Sequence, residues 1–166
     1  MIRVPSGHIV DLETNERVEY KAWNPVSNTV SAEYATQNIR GRSTPHVEYV
    51  HTGEDVWSMH VWLTTDASLL DDDVDTRTLQ DRIAFVKSFM YPDYLRGASD
   101  IVLPPHRCMV IRGEWRKAGY LTGFNATEQG PYDVNGLPMI AEVDFQVHIL
   151  PTKPRGLRDV REWWTH

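Results

Sequence analysis

Histidine is the residue type that most invites a search for chemistry in this sequence. The chain holds seven histidines, and several of them fall in or beside expected strands, among them His46, His51, His60, His106 and His148. Imidazoles on neighbouring strands can converge on a metal ion. None of them, however, has the paired spacing of an HxH or HExxH ligand motif. His60 and His148 fall on polar strand faces, where an exposed or interface imidazole is ordinary. We therefore expect no bound metal and no cofactor.

Nucleophile motifs give no stronger indication of an enzyme. Cys108 lies in the apolar segment CMVI, which favours a buried small hydrophobe over a reactive thiol. The sequence has no GxSxG, P-loop or GxGxxG motif. Glu142 and Asp144 could pair for hydrolysis, but the alternation of their strand explains them better. We expect a protein without catalytic residues.

An acidic run, Asp71 to Asp75, raises the question of a calcium loop. Asp71, Asp73 and Asp75 alternate as calcium ligands do. The pattern then fails, because Thr76 stands where the loop needs glycine and Arg82 where it needs a bidentate glutamate. Carboxylates at a helix N-terminus are the favoured interpretation, since exposed N–H groups and the helix dipole stabilise negative charge there.

Length and composition indicate one globular domain. The chain has 166 residues, of which 41% are hydrophobic and 24% charged. A net charge of −6 argues against non-specific nucleic-acid binding, which depends on excess Lys and Arg. A single cysteine excludes an internal disulfide framework.

No apolar run reaches the ~18 residues that span a bilayer, and the first residues lack a segment of signal-peptide type. With six Trp and seven Tyr, the chain has aromatic side chains to place in subunit contacts.

The segment from Leu137 to Leu150 has the clearest pattern and is expected to be the central strand. Its apolar positions alternate with polar ones without a slip: Ala141, Val143, Phe145, Val147 and Ile149 against Glu142, Asp144, Gln146 and His148. A period of two is typical of a strand with one buried and one exposed face. The apolar side is expected to form the core with the helix residues Leu79, Ile83 and Val86.

The other segments complete a mainly-β, α+β domain over residues 1–150. Hairpins are predicted for His8–Leu12 with Arg17–Trp23, and for His46–His51 with Trp57–Thr64 across a turn at Thr52–Asp55. A strand near Thr29–Tyr34 should precede a long loop. One amphipathic helix runs from about Thr76 to Met90. Strands at Arg107–Ile111 and Gly119–Thr127 lead to the central strand. Residues 151–166 form a tail with a possible short helix.

Several short motifs follow one another in a recognisable order. A GR-S-x-P segment precedes a strand, a helix ends near Tyr-Pro, a Pro-Pro pair starts another strand, and a GPY…GxP…AEV…F block forms the last hairpin. These motifs are carried by Gly41, Arg42, Ser43, Pro45, Tyr91, Pro92, Pro104, Pro105, Gly130, Pro131, Tyr132, Gly136, Pro138, Ala141, Glu142, Val143 and Phe145. Over roughly Trp23 to Leu150 the chain resembles the tube-fold domain of contractile injection systems and contractile phage tails, in the LysM-type baseplate protein family.

The resemblance implies two packed antiparallel sheets with one flanking helix. It also implies a structural virion protein, a baseplate hub or tube-initiating component that is assembled in the host cytoplasm. Such subunits form rings, usually of six, around a channel that DNA crosses without specific binding. The tail tube, the baseplate hub or spike and the wedge proteins would be partners, and no membrane is involved. The LysM module of many relatives has no counterpart in the sixteen or so residues after the domain, which favours a purely architectural role.

Other functions stay open beside this one. Within the tail, the chain could be the tube protein itself or a terminator. Outside it, a carbohydrate- or peptide-binding β-sandwich with Trp stacking platforms, or a metal-dependent enzyme built on the histidines, is conceivable. Four apolar residues have no place in the core pattern and are expected at subunit interfaces: Tyr34, Ile39, Trp163 and Trp164.

Overall fold

A computed structural model describes residues 6–22, 26–37, 46–66, 69–70, 76–94 and 102–149 of the chain. These residues form nine strands and one helix: β1 (Ser6–Asp11), β2 (Arg17–Lys21), β3 (Ser27–Gln37), β4 (His46–Thr64), α1 (Leu79–Ser88), β5 (Asp93–Tyr94), β6 (Val102–Leu103), β7 (Cys108–Arg112), β8 (Trp115–Tyr132) and β9 (Pro138–Ile149). The prediction of a mainly-β domain with one main helix is confirmed. The predicted tail, 151–166, lies outside the described residues.

The strands form one curled antiparallel sheet. Its order is β2-β1-β7-β8-β9-β4-β3, and a further pairing of Lys21 with Trp62 joins β2 to β4. This pairing closes the strands from β2 round to β4 and leaves β3 attached outside. The two predicted layers are therefore sections of one continuous sheet, because β1–β7 and β2–β4 pairings link them on both sides. A separate small sheet pairs β5 with β6, which the sequence pattern did not reveal.

Strand β9 is the centre of the sheet, as its alternation predicts. It pairs with β4 on one side and β8 on the other. Its apolar positions are all buried: Ala141, Val143, Phe145, Val147 and Ile149. They face a core shared with β1, β2, β4, β7 and the helix. A strand paired on both edges and apolar on one face is the part of a sheet that burial stabilises most.

Strand β4 corrects one prediction. Residues Thr52–Asp55 do not turn the chain; the strand runs unbroken through them, and the hairpin predicted there does not exist. The register with β3 shifts at this point, between Val30 and Ala32. Gly53 lies so close to Ser31 that an added Cβ would be 2.1 Å from its hydroxyl oxygen. The glycine therefore serves a β-bulge and a close strand approach, which the sequence pattern cannot distinguish from a turn.

Strand β3 is the true partner of the outer half of β4. It extends from Ser27 to Gln37, beyond the short strand expected near Thr29–Tyr34. Every side chain of β3 from Ser27 to Thr36 is exposed. A strand that lies outside the barrel needs no alternating apolar pattern, which explains why periodicity did not define it. The N-terminal hairpin and the Arg107–Ile111 strand were predicted nearly as observed, while β8 is longer than its prediction at both ends.

The helix begins with a capping box. The Thr78 hydroxyl accepts a hydrogen bond from the backbone N–H of Asp81 at 3.2 Å, and the Asp81 carboxylate accepts one from the backbone N–H of Thr78 at 3.2 Å. This reciprocal pair satisfies two N–H groups at the helix start. The start predicted at Thr76 is therefore three residues early, and the cap comes from Thr78 rather than from the acidic run. That run, Asp71 to Asp75, lies outside the described residues.

The buried side of the helix differs in part from its predicted stripe. Its most buried side chains are Leu79, Arg82, Val86 and Phe89. Arg82 is not among the predicted core residues but is fully buried, and its Nε donates to the Arg77 carbonyl at 3.4 Å. Ile83 is only half-buried at the margin of the core. The helix is thus rotated slightly about its axis relative to the predicted stripe.

Two of the tryptophans are used inside the barrel. Trp57 is 8% exposed and meets Trp115 edge to face, with ring centres 5.2 Å apart. The buried Lys117 ammonium lies 5.0 Å from the centre of the Trp57 ring and 5.8 Å from that of Trp115. Attraction between a cation and aromatic faces offsets part of the cost of burying this charge. Trp57 is therefore buried inside the sheet, and the half-buried Trp115 packs against the core beside it.

A candidate assembly surface on the sheet

Strands β3, β4, β9 and β8 lie side by side in that order and form the broadest section of the sheet. We call the side of this section that is continuous with the core the core face, and the opposite side the polar face. Six residues represent the polar face: Ser58, His60, Asn125, Glu142, Asp144 and Gln146. The polar face is the surface that the alternation of β4 and β9 predicts.

A bulge in β8 keeps its apolar residues on the core face. Leu121 is opposite Val147 and Phe124 is opposite Phe145, although the β8 pair is three residues apart and the β9 pair only two. The extra residue in β8 restores the alternation after the bulge. Gly123 consequently lies on the polar face, opposite Gln146.

Both margins of this section are strand edges. On one side, β3 pairs with β4, and no other described strand pairs with it. On the other side, β8 pairs with β7 only as far as Gly119, opposite Cys108. From Tyr120 to Tyr132, β8 has β9 on one side and no described strand on the other. Rows of unpaired N–H and C=O groups along such edges are templates for pairing with another chain.

A groove crosses the polar face at right angles to the strands. It is open to solvent and has a volume of about 460 Å³. Small side chains form its floor, because Ser27 is opposite Ser58 and Gln146 lies between Ser58 and Gly123. Amide groups of Asn125 and Gln146 line it. The groove therefore offers hydrogen-bonding groups from all four strands.

His60 and Asp144 form the most specific polar contact beside the groove. Nδ1 of His60 lies 2.6 Å from Oδ1 of Asp144, and the two residues are directly opposite in the β4–β9 register. The side chains are 31% and 58% exposed. Among the described residues, Asp144 is the hydrogen-bond partner of the imidazole. The pair orients two exposed side chains on the polar face.

A second histidine–carboxylate contact lies at the β1–β2 turn. Nδ1 of His106 is 2.8 Å from Oδ2 of the buried Asp11, and its Nε2 is 3.6 Å from Asp93. The other Asp11 oxygen accepts hydrogen bonds from the backbone N–H groups of Glu13 at 2.8 Å and Thr14 at 3.3 Å. This cluster ties the turn to the segment before β7 and to β5, which is a structural task.

The charges of the cluster reinforce one another. Burial would raise the pKa of Asp11, but the hydrogen bonds from His106, Glu13 and Thr14 outweigh it and hold that pKa below its ordinary value. The hydrogen bond to Asp11 raises the pKa of His106, against the opposing effect of burial.

Burial raises the pKa of Cys108 to about 12, so this thiol stays protonated at neutral pH. Within the described residues, no three His, Cys, Asp or Glu side chains are placed to hold a metal ion.

The β8–β9 loop is shaped by its own hydrogen bonds. Oδ1 of Asp133 accepts from the backbone N–H groups of Asn135 and Leu137, each at 2.8 Å. These hydrogen bonds, above all the one from Leu137, lower the pKa of the Asp133 carboxyl. Gly136 has a φ of 78°, which glycine adopts at little cost. The loop presents three exposed apolar side chains: Tyr132, Val134 and Leu137.

The structure separates the motif residues into three places. Glu142 lies on the polar face of β9, opposite Trp62 on β4 and Thr127 on β8. The glycine, proline and tyrosine positions of the last motif surround the β8–β9 loop: Gly130, Pro131, Tyr132, Gly136 and Pro138. Tyr91 and Pro92 follow the helix, and Pro105 precedes β7. Pro104 also precedes β7, and Ala141, Val143 and Phe145 are buried positions of β9. The remaining motif positions, Gly41, Arg42, Ser43 and Pro45, lie outside the described residues.

Of the four predicted interface residues, one is described. Tyr34 is 58% exposed on β3. Ile39, Trp163 and Trp164 lie outside the described residues. Sequence reasoning found no carboxylate for either histidine, yet His60 meets Asp144 and His106 meets Asp11. The alternation of β4 and β9 already placed His60 and Asp144 on polar strand faces. Their contact could not be predicted, because it depends on β4 pairing with β9 in the observed register.

Comparison of the chain with protein-family models finds no match, and comparison with curated proteins finds none either. In the described part of the chain, no helix is long and apolar enough to cross a membrane.

Proposed function

We propose that this chain is a ring-forming structural subunit of a contractile phage tail, at the baseplate hub or at the start of the tail tube. The observation that carries the proposal is the pair of edges, β3 and β8, on opposite margins of one sheet section. A protein with complementary edges on opposite sides joins head to tail, and the copies close into a ring when the rotation between neighbours divides a full turn evenly.

The strand order supports closure. The section β3-β4-β9-β8 has an even number of antiparallel strands, so its two edge strands run in opposite directions. Copies repeated in one orientation about an axis would place β8 of one beside β3 of the next in antiparallel alignment. Antiparallel pairing is the more stable arrangement per residue. A six-membered ring, as the motif resemblance implies, would then be lined by one continuous sheet.

Charge fits a channel that DNA crosses. The chain carries a net charge of −6, and the described part of β9 contributes Glu142 and Asp144 on the polar face. A negative wall does not retain a polyanion, whereas Lys and Arg contacts to phosphates would. In this function the chain has no catalytic residue and no cofactor. Its partners are copies of itself, the tail tube, the hub or spike and the wedge proteins, in the virion.

The first test is the assembly state of the purified protein. Size-exclusion chromatography with light scattering, followed by negative-stain microscopy, is expected to show closed rings with a central channel. A tail tube or terminator protein would also form rings, so co-purification with separately produced hub, wedge and tube proteins identifies the position in the tail. Monomers at every concentration, alone and with those proteins, would contradict the proposal.

Carbohydrate binding is a second candidate, favoured by the groove on the polar face. Amide, hydroxyl and carboxylate groups line it, and Trp62 lies two positions beyond His60 on the same face of β4. Such groups hydrogen-bond sugar hydroxyls, and indole rings stack on sugar faces. Titration with chitotetraose, followed by NMR, tests this function. Gly123→Met should abolish binding by filling the groove, since a Cβ at Gly123 meets Gln146 only at 3.4–3.5 Å.

A further inference from the structure

The core face of β3 carries apolar side chains that its own subunit leaves exposed. Val30 is opposite Asp55, two residues from the buried Trp57, which places Val30 on the core face. Ala32 and Tyr34 follow on the same side, since successive side chains alternate and the extra residues of the bulges are in β4. Val30 is 50% and Tyr34 58% exposed. We call these three side chains the β3 row.

The core face of β8 is incompletely covered in the same way. Phe124 and Ala126 pack against the core but are only half-buried. They lie in the part of β8 that has no described strand on its outer side. Helix α1 approaches this margin, because the Gln80 amide hydrogen-bonds the Glu128 carboxylate of β8. A strand added beside β8 would therefore find apolar atoms of β8 and the flank of α1 on its core side.

We propose that the β3 row of one copy packs against Phe124, Ala126 and helix α1 of the next copy in the ring. The proposal rests on the ring function and adds which face is turned inward. Apolar contacts between copies lie on the core face, outside the channel wall, and the polar face with Glu142, Asp144 and Gln146 lines the channel. A second copy is the occupant that fits, because β3 and β8 are opposite margins of one section and expose apolar residues on the same face.

The alternation of β3 offers a matched test of the face. Tyr34 points to the core face, whereas its neighbour Ala35 points to the polar face, and both are exposed. A photo-reactive phenylalanine derivative is placed at one position or the other in the full chain. The assembled protein is irradiated, and the attachment sites are identified by mass spectrometry. The probe at Tyr34 should attach to another copy at Phe124, Ala126 or α1, and the probe at Ala35 to polar-face residues such as Asn125 or Thr127.

The outcomes separate the two proposals. Rings in which the Tyr34 probe attaches to polar-face residues, to another part of the neighbour or to no neighbour would overturn this inference and leave the ring function intact. Absence of any ring at all would remove the ring function, and the inference with it. If the Tyr34 probe attached to the polar-face residues and the Ala35 probe to Phe124, Ala126 or α1, the core face would line the channel.

A pair of variants measures the same contact without a probe. Tyr34→Ser should raise the concentration at which rings form by about tenfold or more, because large aromatic residues at the centre of interfaces contribute most to binding. Ala35→Ser should change it by less than about threefold, as neutral interface positions do. Thermal unfolding of the dilute protein should be the same for both variants. Equal effects of the two variants on ring formation would contradict the proposal.

Discussion

His106 is the residue whose charge state matters most to the fold. It joins the buried Asp11 of the β1–β2 turn to the exposed Asp93 of β5, and Glu13 and Arg107 are the other charged groups near it. The folded state raises the pKa of His106 and lowers that of Asp11. Each shift means that the ion pair favours folding where both partners are charged.

The pH dependence of stability follows from these two directions. Stability from His106 is complete below its ordinary pKa of 6.5 and is lost as pH rises through its raised folded-state pKa. Stability from Asp11 is complete above its ordinary pKa of 3.8 and is lost as pH falls through its lowered folded-state pKa. His106→Gln should therefore cost roughly 1 kcal/mol between these limits, allowing for the partial exposure of the imidazole. Urea unfolding over a series of pH values measures the difference.

The control for that prediction is a double-mutant cycle with Asp11→Asn. The coupling energy of the pair should shrink as the pH rises above the folded-state pKa of His106. A coupling energy that stays constant across the whole alkaline range would mean that the contact depends on packing and not on charge.

The same substitution should cost much more stability at one glycine of β8 than at another. A Cβ at Gly119 would lie 2.0 Å from the carbonyl oxygen of His148, which belongs to the backbone and cannot rotate away. A Cβ at Gly123 meets nothing closer than 3.4 Å. Gly119→Ala should cost about 1–3 kcal/mol, as overpacking does, and Gly123→Ala less than about 0.5 kcal/mol. Denaturant melts decide between them, and similar costs would refute the close approach of β8 to β9.

At the scale of elements, β9 determines which side of the sheet is the core. Phe145 is 2% exposed on the core face. Glu142, three positions earlier in β9, lies on the polar face. Phe145→Ala should cost about 3–5 kcal/mol, as loss of a buried aromatic side chain does. Glu142→Gln should cost under about 0.5 kcal/mol. Comparable losses in chemical denaturation would contradict the face assignment.

The elements that could be predicted from the sequence are those in which burial of one face produces a periodic pattern of apolar residues. Strand β9 and the body of α1 each bury one face, so their periodicity was readable. Strand β3 buries neither face, and Gly53 interrupts β4 where a bulge is needed, so both were misjudged. The polar face was predictable from alternation alone. The unpaired edges of β3 and β8 could not be predicted from alternation. Whether a strand lies at an edge depends on which strands pair with it, and those partners come from distant parts of the sequence.

At the scale of the whole molecule, stability should be unevenly distributed. Strand β3 is exposed from Ser27 to Thr36 and pairs with β4 alone, whereas β9 pairs with a strand on each side and buries one face. Amide hydrogens of residues 27–37 should therefore exchange faster than those of β9 in dilute, ring-free protein, since regions with few buried contacts open locally. Ring formation should slow exchange at β3 and leave β9 nearly unchanged. Equal protection of the two strands in the dilute protein would show that β3 belongs to the cooperative core.

The position of β9 in the sheet also has a consequence for how the protein is made. Strands β4 and β8 each need β9 between them, yet β9 is the last of the described strands to be synthesised. At about 5–20 residues per second, the ribosome delivers β9 roughly 5–20 s after β4. Throughout that interval the apolar side of β4 has no β9 beside it. A nascent chain with this topology is therefore prone to aggregate before β9 emerges, because transiently exposed apolar surface and unpaired strand edges associate with other chains.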